Sequence, residues 1–143
     1  MAALNPAQQR IHAAALKLFA ERGVTQVNVS DLAQAAGVAA VRPGVSAESI
    51  DAASRSVIES AGFGEYFITR TGHGIGLEVH EHPYMVSGNT ITLEEGMAFS
   101  VEPGIYFPGA WGARIEDIVV VTDDGAEPLN TRPHELVVVP VAE

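Results

Sequence analysis

The apolar residues change their spacing near the middle of the chain, at Gly62 and Phe63. Before this point they recur every three or four residues, which is the period of an amphipathic α-helix. After it, short runs rich in Val, Ile and Phe alternate with Gly, Pro and Asp, which is typical of strands joined by turns. The sequence therefore predicts an α+β fold in which the helices come first and the sheet follows.

Two helices are predicted before residue 40. The first begins at Asn5-Pro6, an N-cap followed by a proline at the first helical position, and ends at Gly23. The second is expected to begin with Ser30 as its N-cap and to end at Gly37. Their apolar faces are expected to be buried, and consist of Ile11, Ala14, Ala15, Leu18 and Phe19, then Leu32, Ala35 and Ala36.

A third helix is predicted between a Ser46 cap and Gly62, with Ile50, Ala53 and Ile58 among its buried residues. Strands are predicted over Tyr66–Ile68, Met97–Phe107, Arg114–Thr122 and Glu135–Val141. The glycines from Gly72 to Gly76 predict an irregular loop, and Asp123–Gly125 a turn between two strands.

The charge is unevenly distributed. The formal net charge is −10, which argues against nucleic-acid binding over most of the surface. Residues 1–40 hold three basic and two acidic residues, whereas residues 41–143 hold five basic and sixteen acidic ones. This difference suggests two segments of different origin. The absence of cysteine excludes disulfides and thiolate metal sites, and together with the lack of a signal peptide or long apolar run it predicts a cytoplasmic protein without a membrane segment.

One glycine-rich motif and two acidic segments carry the candidate chemistry. They are Thr71–Glu81, Ser100–Tyr106 and Ala113–Val119. One histidine and two glutamates in these segments could supply nitrogen and oxygen ligands to a divalent metal. Taken singly, each of these residues could equally be an ordinary surface residue or a member of a salt bridge.

Together, these segments resemble the C-terminal catalytic half of the pita-bread metallopeptidases, a group that includes Xaa-Pro dipeptidases, aminopeptidase P, methionine aminopeptidases and creatinase. The likeness begins near Val41 and runs almost to the C-terminus. It implies a partial pita-bread half-domain over residues 41–143, with an antiparallel sheet and packed helices, preceded by a short helical segment over residues 1–40. It also implies a hydrolase that cleaves a peptide bond beside proline.

The resemblance implies a role for several residues. His73, Glu102 and Glu116 match metal ligands, and the metal would be Mn, Co or Zn. Glu102 would also take up a proton during the reaction. Arg114, two residues before Glu116, is expected on the same strand face, and an in-strand ion pair between them is the alternative interpretation of Glu116.

His80 matches a catalytic group that donates a hydrogen bond to the substrate carbonyl. The alternative is a histidine fixed by Glu78 or Glu81. His82 and His134 match no catalytic position and are expected to be structural.

The sequence departs from the family pattern in two places. Thr69 stands where the dipeptidases usually carry a histidine that holds substrate. The two aspartate ligands of the family come from an upstream segment that this chain lacks, since Asp31 and Asp51 lie on predicted helices in no matching pattern. We therefore expect no complete two-metal site, and weak or absent activity.

Residues 7–38 also resemble the first two helices of a TetR-type repressor. The resemblance is carried by Leu18–Val24 and Val29–Val38, and the recognition helix that should follow is replaced by Ala39–Gly44. Since base reading depends on that helix, no specific nucleic-acid binding is expected. The chain thus reads as a chimera, and the alternative functions are a transcription-regulator remnant or a non-catalytic interaction module.

Pairing with another chain is also expected. Pita-bread peptidases resemble two α/β halves related by a pseudo-two-fold axis, and this chain carries only the second half. A homodimer, or pairing with a different chain, would cover the sheet edge and the apolar face left open. If the site is active, its other partner is a peptide substrate.

Overall fold

The structure is a computed structural model that describes residues 5–23, 27–134, 137, 139 and 140. Within these residues, three α-helices precede seven strands. The helices are α1 (Pro6–Arg22), α2 (Val29–Ala40) and α3 (Ala47–Ser60). The strands are β1 (Gly72–Gly74), β2 (Glu81–Met85), β3 (Ala98–Val101), β4 (Gly104–Phe107), β5 (Trp111–Arg114), β6 (Asp117–Val121) and β7 (Ala126–Pro128). The predicted order of helices and sheet is confirmed.

The strands form two antiparallel sheets. The larger has five strands in the order β2-β1-β3-β6-β7, and the smaller is the β4–β5 hairpin. Helix α3 packs on the larger sheet and buries Ile50 against strand residues that include Phe99 and Val119. Burying such large apolar side chains stabilises each by about 1.5–3 kcal/mol relative to exposure. This packing gives the α+β half-domain that the sequence predicts.

Helix α1 begins where it is predicted to begin. Asn5 is its N-cap, its side chain accepts the backbone N–H of Gln8, and Gly23 follows the last turn with a φ of 78°. Helix α2, in contrast, begins before the predicted Ser30 cap. Asn28 and Asp31 cap each other's backbone N–H groups there, because an asparagine followed three residues later by an acid can form a reciprocal capping box.

The predicted end of α2 at Gly37 is wrong, because the helix continues to Ala40. Gly37 instead lies where α2 approaches α3 and β3 closely. A Cβ atom at this position would lie 2.5 Å from Ser54 Oγ of α3 and 2.7 Å from Val101 Cγ1 of β3. The glycine therefore allows close packing rather than ending the helix.

Helix α3 has Ser46 at its N-cap position and is followed by Gly62 with a φ of 84°, as predicted, although Ser46 makes no side-chain capping bond. The predicted strand over Tyr66–Ile68 is wrong, since Gly64–Tyr66 form a short 3-10 helix. The turn over Asp123–Gly125 is confirmed and joins β6 to β7.

Two predicted strands are each divided in the structure. Met97–Phe107 contains β3 and β4, which belong to different sheets, with Glu102 and Pro103 between them. Arg114–Thr122 likewise contains the last residue of β5 and all of β6, separated by Ile115 and Glu116. The chain thus leaves the larger sheet after β3, forms the hairpin and returns as β6. The strand predicted over residues 135–141 falls largely outside the described residues.

Across the described ranges 5–23 and 27–134, we find no helix with the length and apolar character needed to cross a membrane.

Candidate functional site

His73 lies at the centre of β1, the short strand between β2 and β3. Its two glycine neighbours are needed because the strands approach closely. A Cβ atom on Gly72 would overlap the Ser100 carbonyl oxygen, and one on Gly74 would overlap the backbone carbonyl of His82. The predicted irregular loop therefore starts later than expected, at Ile75, after a strand that fixes the histidine.

The His73 ring is buried, and its two nitrogens have different partners. Nδ1 lies 3.0 Å from the Gly74 carbonyl oxygen, and Nε2 lies 3.1 Å from Glu102 Oε1. Because a carbonyl oxygen can only accept a hydrogen bond, Nδ1 carries a proton in this arrangement. The Nε2 atom is thereby directed at the Glu102 carboxylate.

Glu102 follows β3 directly and is also buried. Its Oε1 atom accepts a hydrogen bond of 2.9 Å from Ser100 Oγ, and its Oε2 atom accepts one from Arg114 Nη1. Its backbone N–H donates to the Thr71 carbonyl at 2.7 Å. Both carboxylate oxygens are therefore held in fixed directions, and the guanidinium offsets the buried negative charge.

His80 lies at the open end of the site, in the exposed loop after β1. Its ring centroid is 4.2 Å from that of His73. Glu78 and Glu81 are the two acids that could fix this histidine. The carboxylate of Glu81 accepts the backbone N–H of Glu78 at 2.9 Å. His80 therefore lies at the predicted site, where its ring contacts the ring of His73.

Glu116 is exposed and lies in the connection between β5 and β6. The prediction that Arg114 and Glu116 share a strand face is wrong, because β5 ends at Arg114. The guanidinium of Arg114 donates a hydrogen bond to Glu102 instead. Glu116 nevertheless lines the same cleft, which has a volume of about 430 Å³. Its polar and charged lining residues are His73, Glu78, His80, Glu102, Arg114 and Glu116.

The cleft contains side chains of the types that bind metal ions. Zn²⁺ and similar divalent ions bind imidazole nitrogen and carboxylate oxygen atoms. His73 and Glu102 present one of each, facing each other. Within residues 5–23 and 27–134, however, no three His, Asp or Glu side chains converge closely enough to hold an ion. His73 and Glu102 therefore fit a divalent ion as two members of a larger ligand set.

Neither aspartate of the helices adds to this set. Asp31 is bonded to Arg22, and Asp51 to Arg55. Asp51 Oδ1 also accepts hydrogen bonds from the backbone N–H and the hydroxyl of Thr71, at 3.1 and 2.8 Å. Asp51 thus anchors the segment that leads into β1, a structural role that its helical position did not reveal.

Ser100 and Thr71 contact the site but were not predicted to do so. Ser100 Oγ touches Glu102 and His73, and the Thr71 carbonyl accepts from Glu102. One signal was present in the sequence: residues 100 and 102 are two apart within the predicted strand Met97–Phe107, where alternate side chains share a face.

The remaining polar residues of interest lie elsewhere. His82 packs on Tyr84 at 4.7 Å between ring centroids, and His134 Nε2 lies 3.0 Å from Asp117 Oδ1. Thr69 is exposed and its carbonyl accepts a hydrogen bond from Arg55. These contacts agree with structural roles for both histidines.

Comparison with known proteins shows similarity to one family. The family model described as Metallopeptidase family M24 matches residues 21–123. The match begins well before Val41, where the likeness was expected to start, and includes all of α2. The repressor-like interpretation of residues 7–38 receives no support, and the boundary at residue 40 stays a prediction.

Individual relatives are dipeptidases. The chain is 66% identical over 110 residues to a probable dipeptidase PepE of Mycobacterium tuberculosis, covering 77% of this chain and 29% of the relative. It is 53% identical over 115 residues to an Xaa-Pro dipeptidase of Lactobacillus delbrueckii subsp. lactis, covering 80% of this chain and 31% of the relative. The chain thus spans about a third of the length of these relatives.

Solved structures agree with the fold. The crystal structure of dipeptidase PepE from Mycobacterium ulcerans matches with a TM-score of 0.73 and 55% identity, covering 99% of this chain and 34% of that one. Methionine aminopeptidase from Rickettsia prowazekii matches with a TM-score of 0.61 and 30% identity, covering 73% of this chain and 50% of that one.

Proposed function

This chain belongs to metallopeptidase family M24, and from this membership we propose that it carries part of a metal-dependent centre for the hydrolysis of Xaa-Pro peptide bonds. The observation that supports this most directly is the buried pair in which His73 Nε2 faces Glu102 Oε1 at 3.1 Å. His73, Glu102 and Glu116 are the proposed ligands of a Mn, Co or Zn ion. The Xaa-Pro preference is proposed from the names of the relatives.

Each residue would have a distinct task. A bound divalent ion would supply Lewis-acid polarisation of the scissile carbonyl. Glu102 would accept a proton from the attacking water, because its carboxylate is held at the cleft by Ser100 and Arg114. His80, exposed beside His73, would donate a hydrogen bond to the carbonyl oxygen as negative charge develops.

We further propose that the chain alone is a weak enzyme. In the described residues Glu116 lines the cleft but does not converge with His73 and Glu102 into a group of three ligands, and the relatives are about three times as long. Loss of partners that orient a metal site typically lowers affinity or activity about 10–100-fold. Hydrolysis of an Xaa-Pro dipeptide by the purified chain with Mn²⁺ should therefore be at least about a hundredfold slower than by a full-length relative.

Two measurements test this function. Isothermal titration calorimetry should detect Mn²⁺ uptake by the wild-type chain and its loss in His73→Ala. Rapid Mn²⁺-dependent turnover that disappears in Glu102→Ala would contradict the proposed weakness. Equal Mn²⁺ affinity in wild type and His73→Ala would contradict the metal centre itself.

A non-catalytic interaction module is the second candidate, favoured by exposed apolar side chains at the cleft. Leu77 and Val79 line it and are largely or fully exposed, as is Trp111 on the neighbouring hairpin. Exposed apolar groups beside a binding site are typical of surfaces that another chain covers. We propose that a second copy, or another chain, packs on this face.

A DNA-binding remnant is tested separately by filter retention of duplex DNA. Residues 1–40 carry little net positive charge, and α2 is followed by Val41-Arg42-Pro43 rather than by a recognition helix. No retention is expected at physiological salt. A footprint on a defined operator would overturn this expectation.

A further inference from the structure

A single hydroxyl group contacts both members of the buried pair. Ser100 Oγ accepts the backbone N–H of His73 at 3.0 Å and donates to Glu102 Oε1 at 2.9 Å. This Oε1 atom is the same one that lies 3.1 Å from His73 Nε2. Ser100 therefore joins the backbone of the histidine to the carboxylate oxygen that the histidine ring faces.

The direction of the Ser100 hydroxyl proton is fixed by its surroundings. A hydroxyl has one proton to donate, and two acceptors are near it, Glu102 Oε1 at 2.9 Å and the His73 carbonyl oxygen at 3.5 Å. The carboxylate is both the closer acceptor and the charged one, and hydrogen bonds to charged groups are the stronger. The proton therefore points at Glu102, which leaves a lone pair for the His73 N–H.

A water molecule could not easily replace the Ser100 hydroxyl between His73 and Glu102. Ser100 is 0% exposed, and the strands around it are so close that a Cβ atom on Gly72 would overlap the Ser100 carbonyl. The other support of the carboxylate, Arg114, has a side chain that is 47% exposed. Ser100 is thus the rigid support of Glu102, whereas Arg114 can exchange its contact for solvent.

We propose that Ser100 is a positioning residue, which sets the direction of Glu102 Oε1 relative to His73 Nε2 and so the geometry in which the pair takes up a divalent cation. The identity of that ligand rests on the proposed function. The positioning role does not rest on the proposed function, because it depends on the hydrogen bonds of Ser100 to His73 and Glu102. Loss of the hydroxyl would leave the His73 N–H without its acceptor and free the carboxylate to rotate.

The chain offers a matched control in Ser54. This serine is also 0% exposed, and its hydroxyl donates to the Ala33 carbonyl at 2.9 Å, between α3 and α2. Ser100→Ala and Ser54→Ala therefore remove the same group from equally buried positions, one at the site and one away from it. Similar decreases in melting temperature are expected for the two variants, because each loses one buried hydroxyl.

Mn²⁺ affinity is the first readout. Ser100→Ala should weaken Mn²⁺ binding, measured by calorimetry, by about 10–100-fold, the usual effect of losing a partner that orients a ligand. Ser54→Ala should leave the affinity within about a factor of two of wild type. Equal affinities in wild type and Ser100→Ala, or an equal loss in both variants, would overturn the proposal.

A second readout needs no metal. In metal-free protein at a fixed pH, the ¹⁵Nε2 chemical shift of His73, assigned with His73→Ala, reports its contact with Glu102. It should move in Ser100→Ala and stay in place in Ser54→Ala. If wild type binds no Mn²⁺, the proposed function fails, and this shift alone decides the positioning role: an unchanged shift in Ser100→Ala refutes it.

Discussion

Arg114 donates its hydrogen bond to Glu102 and not to Glu116, the glutamate nearest to it in sequence. The guanidinium therefore lies on the carboxylate oxygen that does not face His73. A positive side chain and a metal ion would both be attracted to this carboxylate, so they compete for its charge.

Replacement of Arg114 by alanine should have opposite effects on binding and on stability. Mn²⁺ should bind more tightly, by roughly fivefold, because a half-exposed ion pair of about 1 kcal/mol no longer competes for Glu102. The free energy of unfolding, measured by urea denaturation, should fall by about 1 kcal/mol. Lys17→Ala, which removes a highly exposed ion pair with Glu21, is the control and should change neither quantity noticeably. Weaker Mn²⁺ binding in Arg114→Ala would mean that the guanidinium supports the ion rather than competing with it.

Gly37→Ala should destabilise the protein, although alanine favours a helix more than glycine does. The helix preference contributes about 1 kcal/mol in favour of alanine, whereas overpacking against Ser54 and Val101 costs about 1–3 kcal/mol. Chemical denaturation of Gly37→Ala, Ser54→Ala and the double variant would measure the coupling. Since Ser54→Ala removes the nearest atom, the double variant should lose less than the sum of the single losses. Strict additivity would show that the two helices separate to accept the methyl group.

Arg55→Lys should lower the free energy of unfolding by about 2–3 kcal/mol. Arg55 binds both oxygens of buried Asp51 and also donates to the Phe67 and Thr69 carbonyls, a pattern that lysine cannot reproduce. The hydrogen bonds that Arg55 donates to Asp51 raise the pKa of Arg55 above its usual range, against an opposing effect of burial. A raised pKa of a basic group gives stability that is fully present below the unfolded pKa and lost only as pH rises through the folded one.

The stability difference between wild type and Arg55→Lys should therefore be constant between pH 7 and pH 9 (~2 units wide), well below the titration of either side chain. Thermal unfolding followed by circular dichroism across this range provides the check. A difference that shrinks steadily with pH would show that the Arg55 contact is not the source of the effect.

Association through the cleft face should be visible by light scattering at micromolar concentration, as an apparent mass above the 15.0 kDa of one chain. Leu77→Lys should shift the protein toward monomer, because a charge would replace a fully exposed leucine at the proposed contact. Leu16→Lys, on the exposed side of α1, is the matched control and should leave the mass unchanged. A wild-type monomer that binds no hydrophobic dye would contradict the association.

The sequence predicts the helices and the site motif better than the strand ends. Asn5, Pro6 and Gly23 act through local backbone chemistry, so their effect can be predicted without tertiary contacts. Gly37 could not be interpreted in this way, because the same residue type ends helices and allows close packing, and only the positions of Ser54 and Val101 decide between the two.

The strand breaks at Glu102 and Glu116 were missed for a related reason. Val, Ile and Phe on both sides favour extended backbone, and nothing local indicates that the two halves pair with different strands. His73 and Glu102 were found through family resemblance, which requires only their neighbours in sequence. Their common support, Ser100, is defined by contacts across two strands.

In the part of the chain that the structure describes, one connection leads from β3 into the β4–β5 hairpin and one leads from the hairpin to β6, and the candidate ligands Glu102 and Glu116 lie in these two connections. The far end of the hairpin, around residues 108–110, pairs with no other described strand. Insertions there would lengthen the hairpin while leaving both carboxylates where they are. A deletion beside either glutamate would instead shift the pairing of β6 with β3, so the hairpin tip can accept changes of length that the base of the cleft cannot.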